Sequence, residues 1–474
     1  MDIWTPNISE RPGPKYKAIA DSILSDIRSG SLAPGERLPT HRDLAYRLGV
    51  TVGTVTRAYS EAERRGLVAG EVGRGTYVRD PNEPSNFTID RTFSLSIQSE
   101  EILAKDGVCD FSLSLPISGL VEKYFAKALM DIGSSRGLNS LLDYTPDTGI
   151  PYHRQAGAAW IKSISGMAVD PSQVVITNGA QHAVLAAVMT LALRGDTILT
   201  ECMTYHGIKT LASEMGLKLV GLEMDEFGII PKSFEAACRN GSPKALYTIP
   251  TMQNPTSRTM PESRRREIAK IAIDYNVPII EDDIFGAIPE KRPLPITSFA
   301  PNLGYYITSF SKCIAPGLRY GYLVVPEGME RRAGSVIRDT CRMATPLMSE
   351  IVTQWIETGA AKEITQLQRN EMLARQKIAS RILKDCDLEM NPGTFTALLY
   401  LPEPWRVEEF ALAAKEKDVL VLPTSIFAVG RSSPRHAIRI CLGGARNLEL
   451  VEKGLKEIAS LIRYGNNAFA ESII

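Results

Sequence analysis

The sequence lacks the marks of several protein classes, and each gap removes an explanation. Its seven cysteines include no C-x-x-C pair, which speaks against a disulfide framework and for reduced, intracellular thiols. Five histidines form no H-E-x-x-H or comparable spacing, so no metal site is expected. Basic and acidic residues balance at 54 each, leaving no broad field for a membrane or for nucleic acid. The start, M-D-I-W-T-P-N, has no basic-then-apolar signal. The longest apolar run, near Ala183 to Leu193, is too short to span a bilayer. A cytoplasmic protein without membrane contact is the expectation.

What is present is an ordinary globular composition, 44% hydrophobic and 23% charged, over 474 residues. That length suggests two or three domains. Charge is not spread evenly. Residues 11–80 hold 12 Lys and Arg against 8 Asp and Glu, a local +4 that leaves −4 elsewhere. The bias is mild and fits a DNA-facing module.

The same segment has the punctuation of three helices and a hairpin. Tyr16 to Ile27 places apolar residues at helical spacing, and Ser29-Gly30 ends the run. Thr40 can cap a helix from His41 to Leu48, which Gly49 stops. Thr51 opens a third helix through about Arg65, and L-V-A-G-E-V-G-R-G-T-Y-V reads as two short strands, a wing. This order is that of a winged helix-turn-helix. Thr51, Thr54 and neighbouring small residues let the third helix sit deep in a major groove, where Arg57 and Arg42 reach phosphates or guanine edges. Arg74 at the wing tip is placed to enter a minor groove or touch backbone. A three-helix accessory domain with a solvated basic face is the alternative.

After a Pro-, Asn- and Ser-containing stretch, read as a tether over 81–113, apolar strands alternate with helices to the end. That pattern predicts a mostly parallel α/β sheet wrapped by helices. Within it, T-S-F-S-K-C-I-A-P-G-L-R-Y-G-Y (Thr308–Tyr322) sets Lys312 between Ser309 and Ser311, with Arg319 seven positions on. An amine near cationic and apolar groups can attack an aldehyde, while hydroxyls and a guanidinium hold a phosphate. Pyridoxal 5'-phosphate has both. A surface lysine at a strand end is the competing reading.

Other pieces stand at strand ends in order. Gly179, Ala180 and Gln181 open an apolar helix whose N-terminus suits a phosphate. Tyr205 could stack on a pyridine ring or simply pack in a loop. Asn254 could donate to the cofactor's phenolic oxygen. Asp282, in Glu281-Asp282-Asp283, could keep the pyridine nitrogen protonated. Arg439, in the apolar strand Ala437 to Cys441, needs a partner, and a substrate carboxylate is a plausible one.

Two resemblances follow. The run G-E-R-L-P-T-H-R-D-L-A-Y-R-L-G-V-T-V-G-T-V-T-R-A-Y resembles the winged helix-turn-helix of GntR regulators over about residues 14–79. It implies DNA contacts from Arg42, Thr51, Thr54 and Arg74, with Val52 standing where many relatives have an arginine. The later motifs resemble fold-type I aminotransferases over about residues 110–474. This implies Lys312 as the Schiff-base lysine, Asp282 as pyridinium partner, Asn254 at the phenolic oxygen, Tyr205 on the ring and Arg439 for a substrate carboxylate. Gly179, Ala180, Gln181, Ser309, Ser311 and Arg319 would hold the phosphate. Tyr144 matches a tyrosine that reaches the phosphate of the neighbouring subunit, which implies a homodimer.

Together the two motif sets resemble MocR-type regulators. The expected architecture is a DNA-binding domain at 1–80, the linker, and an aminotransferase-like domain at 114–474 whose small subdomain includes about 375–474. The expected partners are an operator duplex and a small amine or amino-acid effector, or the cofactor itself. An active aminotransferase with a vestigial or targeting DNA module is the alternative. Relatives place a tyrosine two or three residues after the pyridine-binding aspartate, where this chain has Ile284 and Phe285. Weak or absent turnover is therefore expected.

Overall fold

The computed structural model describes residues 4–6, 8, 14–65, 67–71, 75–78, 107–403, 405–430 and 435–471. The chain divides into two compact units, Met1–Glu100 and Glu101–Ile474.

In the first unit, α1 spans Lys15–Arg28, α2 His41–Leu48 and α3 Val52–Arg64. The caps explain the boundaries. Thr40 accepts from the Asp43 amide and Gly49 closes α2 in the left-handed region at φ 59°. Thr51 accepts from the Thr54 amide at the start of α3. The apolar faces of the three helices meet through Ile19, Ile23, Leu44, Val55 and Ala58. Strands β1 (Val68–Glu71) and β2 (Gly75–Val78) pair antiparallel beneath them. Residues 72–74, and with them Arg74, lie outside the described residues.

The second unit begins with β3 (Cys109–Asp110) and centres on a seven-stranded sheet. Its strands are β4 (Val174–Thr177), β5 (Thr197–Glu201), β6 (Lys218–Leu222), β7 (Ala245–Thr248), β8 (Ile279–Asp282), β9 (Gly304–Ser309) and β10 (Gly321–Val324). In space they run β4-β10-β9-β8-β7-β5-β6. All neighbours are parallel except β10, which is antiparallel to both β9 and β4. The central strands are buried along their length, as sheets covered on both faces require. Helix α4 (Ala180–Leu191) follows β4, α5 (His206–Met215) follows β5, and the long α6 (Ala360–Ile382) precedes the smaller sheet.

That smaller sheet is antiparallel, formed by β11 (Asp387–Glu389), β12 (Thr396–Tyr400), β14 (Leu422–Pro423) and β15 (Ala437–Cys441) in the order β11-β12-β15-β14. The short β13 (Val419–Leu420) pairs in parallel with β3. The end of the stretch read as tether therefore joins the second unit as a strand.

Candidate functional site

The C-terminal ends of the parallel strands converge on one pocket, the place where open α/β sheets bind ligands. Lys312 lies just beyond β9, and its Nζ donates to the Ser114 carbonyl. Burial pulls its amine down to about 8; Arg439 and Arg319 push the same way, against Cys441 and Asp282. An amine so placed is partly neutral at physiological pH, the form that attacks an aldehyde.

At the end of β8 two adjacent carboxylates are treated differently. Asp283 is bound by the Arg292 guanidinium and the Tyr306 hydroxyl. Asp282 accepts a 2.6 Å bond from the Tyr247 hydroxyl on Oδ2, while its buried Oδ1 has no partner. Burial raises the Asp282 carboxyl to about 6, opposed by the Tyr247 bond. Each carboxylate keeps a buried Oδ1 without a partner, but Asp283 is ion-paired to Arg292 and Asp282 has only the Tyr247 hydroxyl on its other oxygen.

Opposite it, Arg319 adopts a left-handed backbone at φ 45° and donates to the Asn178 carbonyl at 3.2 Å. Gly179, at φ 84°, has no Cβ; one added there would sit 2.9 Å from an Arg319 terminal nitrogen. The glycine thus lets the guanidinium lie against the start of α4, where Ala180 and Gln181 begin a helix with no side-chain cap. The Ser309 and Ser311 hydroxyls are buried without partners.

Tyr205, directly before α5, has its phenol raised by burial and by Asp282, with Arg319 and Arg439 opposing. It therefore lies within electrostatic range of Asp282, Arg319 and Arg439. Asn254, buried and joined to Pro255 by a cis bond, accepts from Arg439 Nη1 at 2.8 Å. Arg439 reaches in from β15, its guanidinium 4.8 Å from the Phe427 ring centroid, its Nη2 on the Ser112 carbonyl and its buried Nε unpartnered. Tyr144 is not brought here: it is 78% exposed, with the Arg342 guanidinium 5.2 Å from its ring centroid.

Buried polar atoms without partners each cost about 1–3 kcal/mol. In this pocket they sort by chemistry: an acceptor at Asp282, hydroxyls at Ser114, Ser309 and Ser311, and a guanidinium nitrogen at Arg439. A protonated ring nitrogen, a phosphate and a carboxylate would complete them, so the residues fit pyridoxal phosphate and an amino-acid ligand. Sequence reasoning missed Tyr247, Ser112 and Ser114. Tyr247 pairs with Ile280 in the β7–β8 register, and nothing in the spacing of β7 marks it as a partner of Asp282. Ser112 and Ser114 contribute carbonyls, which any residue supplies. Among the described residues no group of three or more His, Cys, Asp or Glu is placed to hold a metal. No described helix is long and apolar enough to cross a membrane.

In the first unit, Thr51 and Thr54 hydroxyls bond each other at 2.9 Å, and Thr56 bonds the Val52 carbonyl and His41. Arg42 and Arg57 are exposed, and the Arg57 guanidinium is 5.7 Å from the Tyr16 ring centroid. The face around the start of α3 is polar, small and cationic.

Fold and pocket together define an aminotransferase-like protein with an N-terminal winged helix. Comparison with known proteins makes the class specific. Residues 121–458 match the model for aminotransferase class I and II, and residues 15–78 match bacterial regulatory proteins of the gntR family. The chain belongs to the aminotransferase class I and II family and carries a gntR module, the MocR combination. It is 29% identical to the uncharacterised HTH-type transcriptional regulator YdeF of Bacillus subtilis, covering 97% of this chain and 96% of that protein. It is 23% identical to the HTH-type pyridoxine biosynthesis transcriptional regulator PdxR of Corynebacterium glutamicum, covering 85% and 87%. In fold it resembles a Pyrococcus horikoshii kynurenine aminotransferase solved with PMP (TM-score 0.71, 19% identity, 80% of this chain and 97% of that one).

Proposed function

We propose that this protein is a transcriptional regulator whose winged helix binds an operator and whose aminotransferase-like unit, a homodimer in the cytoplasm, senses an amine or amino acid through bound pyridoxal phosphate. The observation that carries this reading is the unpartnered, buried Asp282 Oδ1 in the same pocket as the Lys312 amine, whose proton burial loosens. When bound, the cofactor supplies an aldehyde for amines and an electron-withdrawing ring. The chain's own residues do the rest. Lys312 anchors through Nζ, Asp282 holds a proton at the ring nitrogen, and Tyr205 packs on the ring. Gly179, Ala180, Gln181, Ser309, Ser311 and Arg319 hold the phosphate, with Tyr144 reaching a second copy's site. Arg439, steadied by Asn254, takes a ligand carboxylate. Arg42, Thr51, Thr54, Arg57 and Arg74 meet the DNA.

Regulation then requires that the ligand prefer one of two arrangements that differ in DNA affinity. The test is direct. Purified protein should be yellow, borohydride reduction should label position 312, and promoter mobility shifts should change with amines. Colourless protein that takes up no added cofactor sinks the sensor. Failure to shift any promoter fragment at low salt sinks the regulator.

A further inference from the structure

Residues Asp110–Ile117 cross the pocket as a strap tied at both ends. At its start, β3 pairs with β13, the Phe111 amide donates to the Leu420 carbonyl at 2.8 Å, and the Cys441 amide donates to the Phe111 carbonyl at 2.9 Å. At its end the fully buried Gln368 of α6 grips one residue twice. Its Oε1 accepts from the Ile117 amide at 2.7 Å and its Nε2 donates to the Ile117 carbonyl at 2.9 Å. A glycine pair after β15 makes room in between. A Cβ at Gly443 would stand 1.9 Å from the Leu115 carbonyl oxygen, and one at Gly444 2.1 Å from that of Asp110. Buried Arg375, also on α6, fixes the turn carrying the pair through the Leu442 and Ala445 carbonyls, each at 2.7 Å. One helix thus holds both walls of the strap.

Between its ties the strap presents backbone carbonyls to the pocket's two working cations. Ser114 faces Lys312 Nζ, and Ser112 faces Arg439 Nη2. A carboxylate binds a guanidinium best through two parallel N–H groups. The two available forks are Nη1 with Nη2, and Nε with Nη2. Both contain the nitrogen held by Ser112, and Nη1 is already committed to Asn254. A charged oxygen arriving there outcompetes a neutral carbonyl and repels it.

We propose that the Ser112 carbonyl and the ligand carboxylate compete for Arg439, so that binding displaces the strap, with Gln368 as the residue that positions it. This rests on the functional reading above and adds how occupancy is read out.

The test uses full-length, cofactor-loaded protein with propionate as the carboxylate probe and propionamide as its neutral control. Cofactor absorbance reports occupancy, and hydrogen exchange reports the peptide covering 107–117. Propionate should change the absorbance and speed exchange in that peptide several-fold, and propionamide should do neither. Gln368→Glu keeps an acceptor for the Ile117 amide but loses the donor to its carbonyl. It should loosen the strap without probe and tighten propionate binding, an effect that general destabilisation would not produce. Propionate that titrates the absorbance while exchange in 107–117 stays unchanged overturns the inference and spares the functional reading. So does a Gln368→Glu protein with a loosened strap and unchanged or weaker propionate affinity. Protein that takes up no cofactor overturns both.

Discussion

The recognition helix and the pocket treat polar groups in opposite ways. On α3, Thr51, Thr54 and Thr56 spend their hydroxyls on the helix or on His41 while facing solvent. In the pocket, Asp282 Oδ1, Ser309 Oγ, Ser311 Oγ and Arg439 Nε are buried and unpartnered. The first surface is complete as it stands, and DNA would be laid on top of it. The second is unfinished and strains the fold until something enters. Substitutions on the helix should therefore weaken binding without a gain in stability, whereas in the pocket the two should move in opposite directions.

The largest effect is expected from Lys312→Ala, which should abolish cofactor absorbance after gel filtration; retained colour would remove the pocket side of the contrast. Next comes Asp282→Asn. Burial raises this carboxyl from 3.8 to about 6. Its contribution to stability is therefore intact below about pH 4 and lost as pH rises through about 6. Cofactor-free wild type should lose melting temperature across that window while the Asn variant stays flat. At pH 7 the variant should be more stable by about 1–3 kcal/mol yet release cofactor faster. A variant less stable at pH 7 would break the contrast outright.

Phe285→Tyr probes whether the pocket lacks one catalytic group. Phe285 is buried, with the Phe395 ring centroid 6.1 Å from its own. Wild type should turn over an amino donor and keto acid slowly, and the added hydroxyl should raise the single-turnover rate roughly tenfold, below the usual range for a positioned acid–base group. Wild-type rates typical of enzymes would favour the aminotransferase reading. The smallest effects belong to the helix. Arg42→Ala should lower the salt slope of DNA binding by about 1 and leave thermal unfolding unchanged. Thr51→Ala should cost about 1 kcal/mol, because it removes the cap as well as a groove-facing hydroxyl.

How much of this could be read from the chain varied with what carries the signal. Caps depend on residue type, hydroxyls at Thr40 and Thr51 and a left-handed glycine at Gly49, so these residues marked the helices of the first unit where the structure has them. The pocket lysine, serines and arginines were readable for the same reason. Strand β8 runs Ile279–Asp282 and so takes in acids that pattern alone sets beyond a strand end. Its last two residues are acidic, and acids argue against a buried strand. Glu281 is buried because the Ile296 and Thr297 amides and the Thr297 hydroxyl all donate to it, a partnership formed across distant sequence. The strap was hidden more deeply, since its working atoms are main-chain carbonyls and its fit depends on two missing β-carbons.

The pairing of Asp282 with Asp283 has a consequence for how such genes diverge. Successive residues at a strand end point to opposite sides. A single-codon deletion ahead of β8 would carry Asp283 into the pocket position and set Ile284 against Arg292, whereas an insertion would bring Glu281 into the pocket and set Asp282 against Arg292. The D-D dipeptide would survive in every descendant, while the pocket would receive an acid whose charge balance was built for somewhere else.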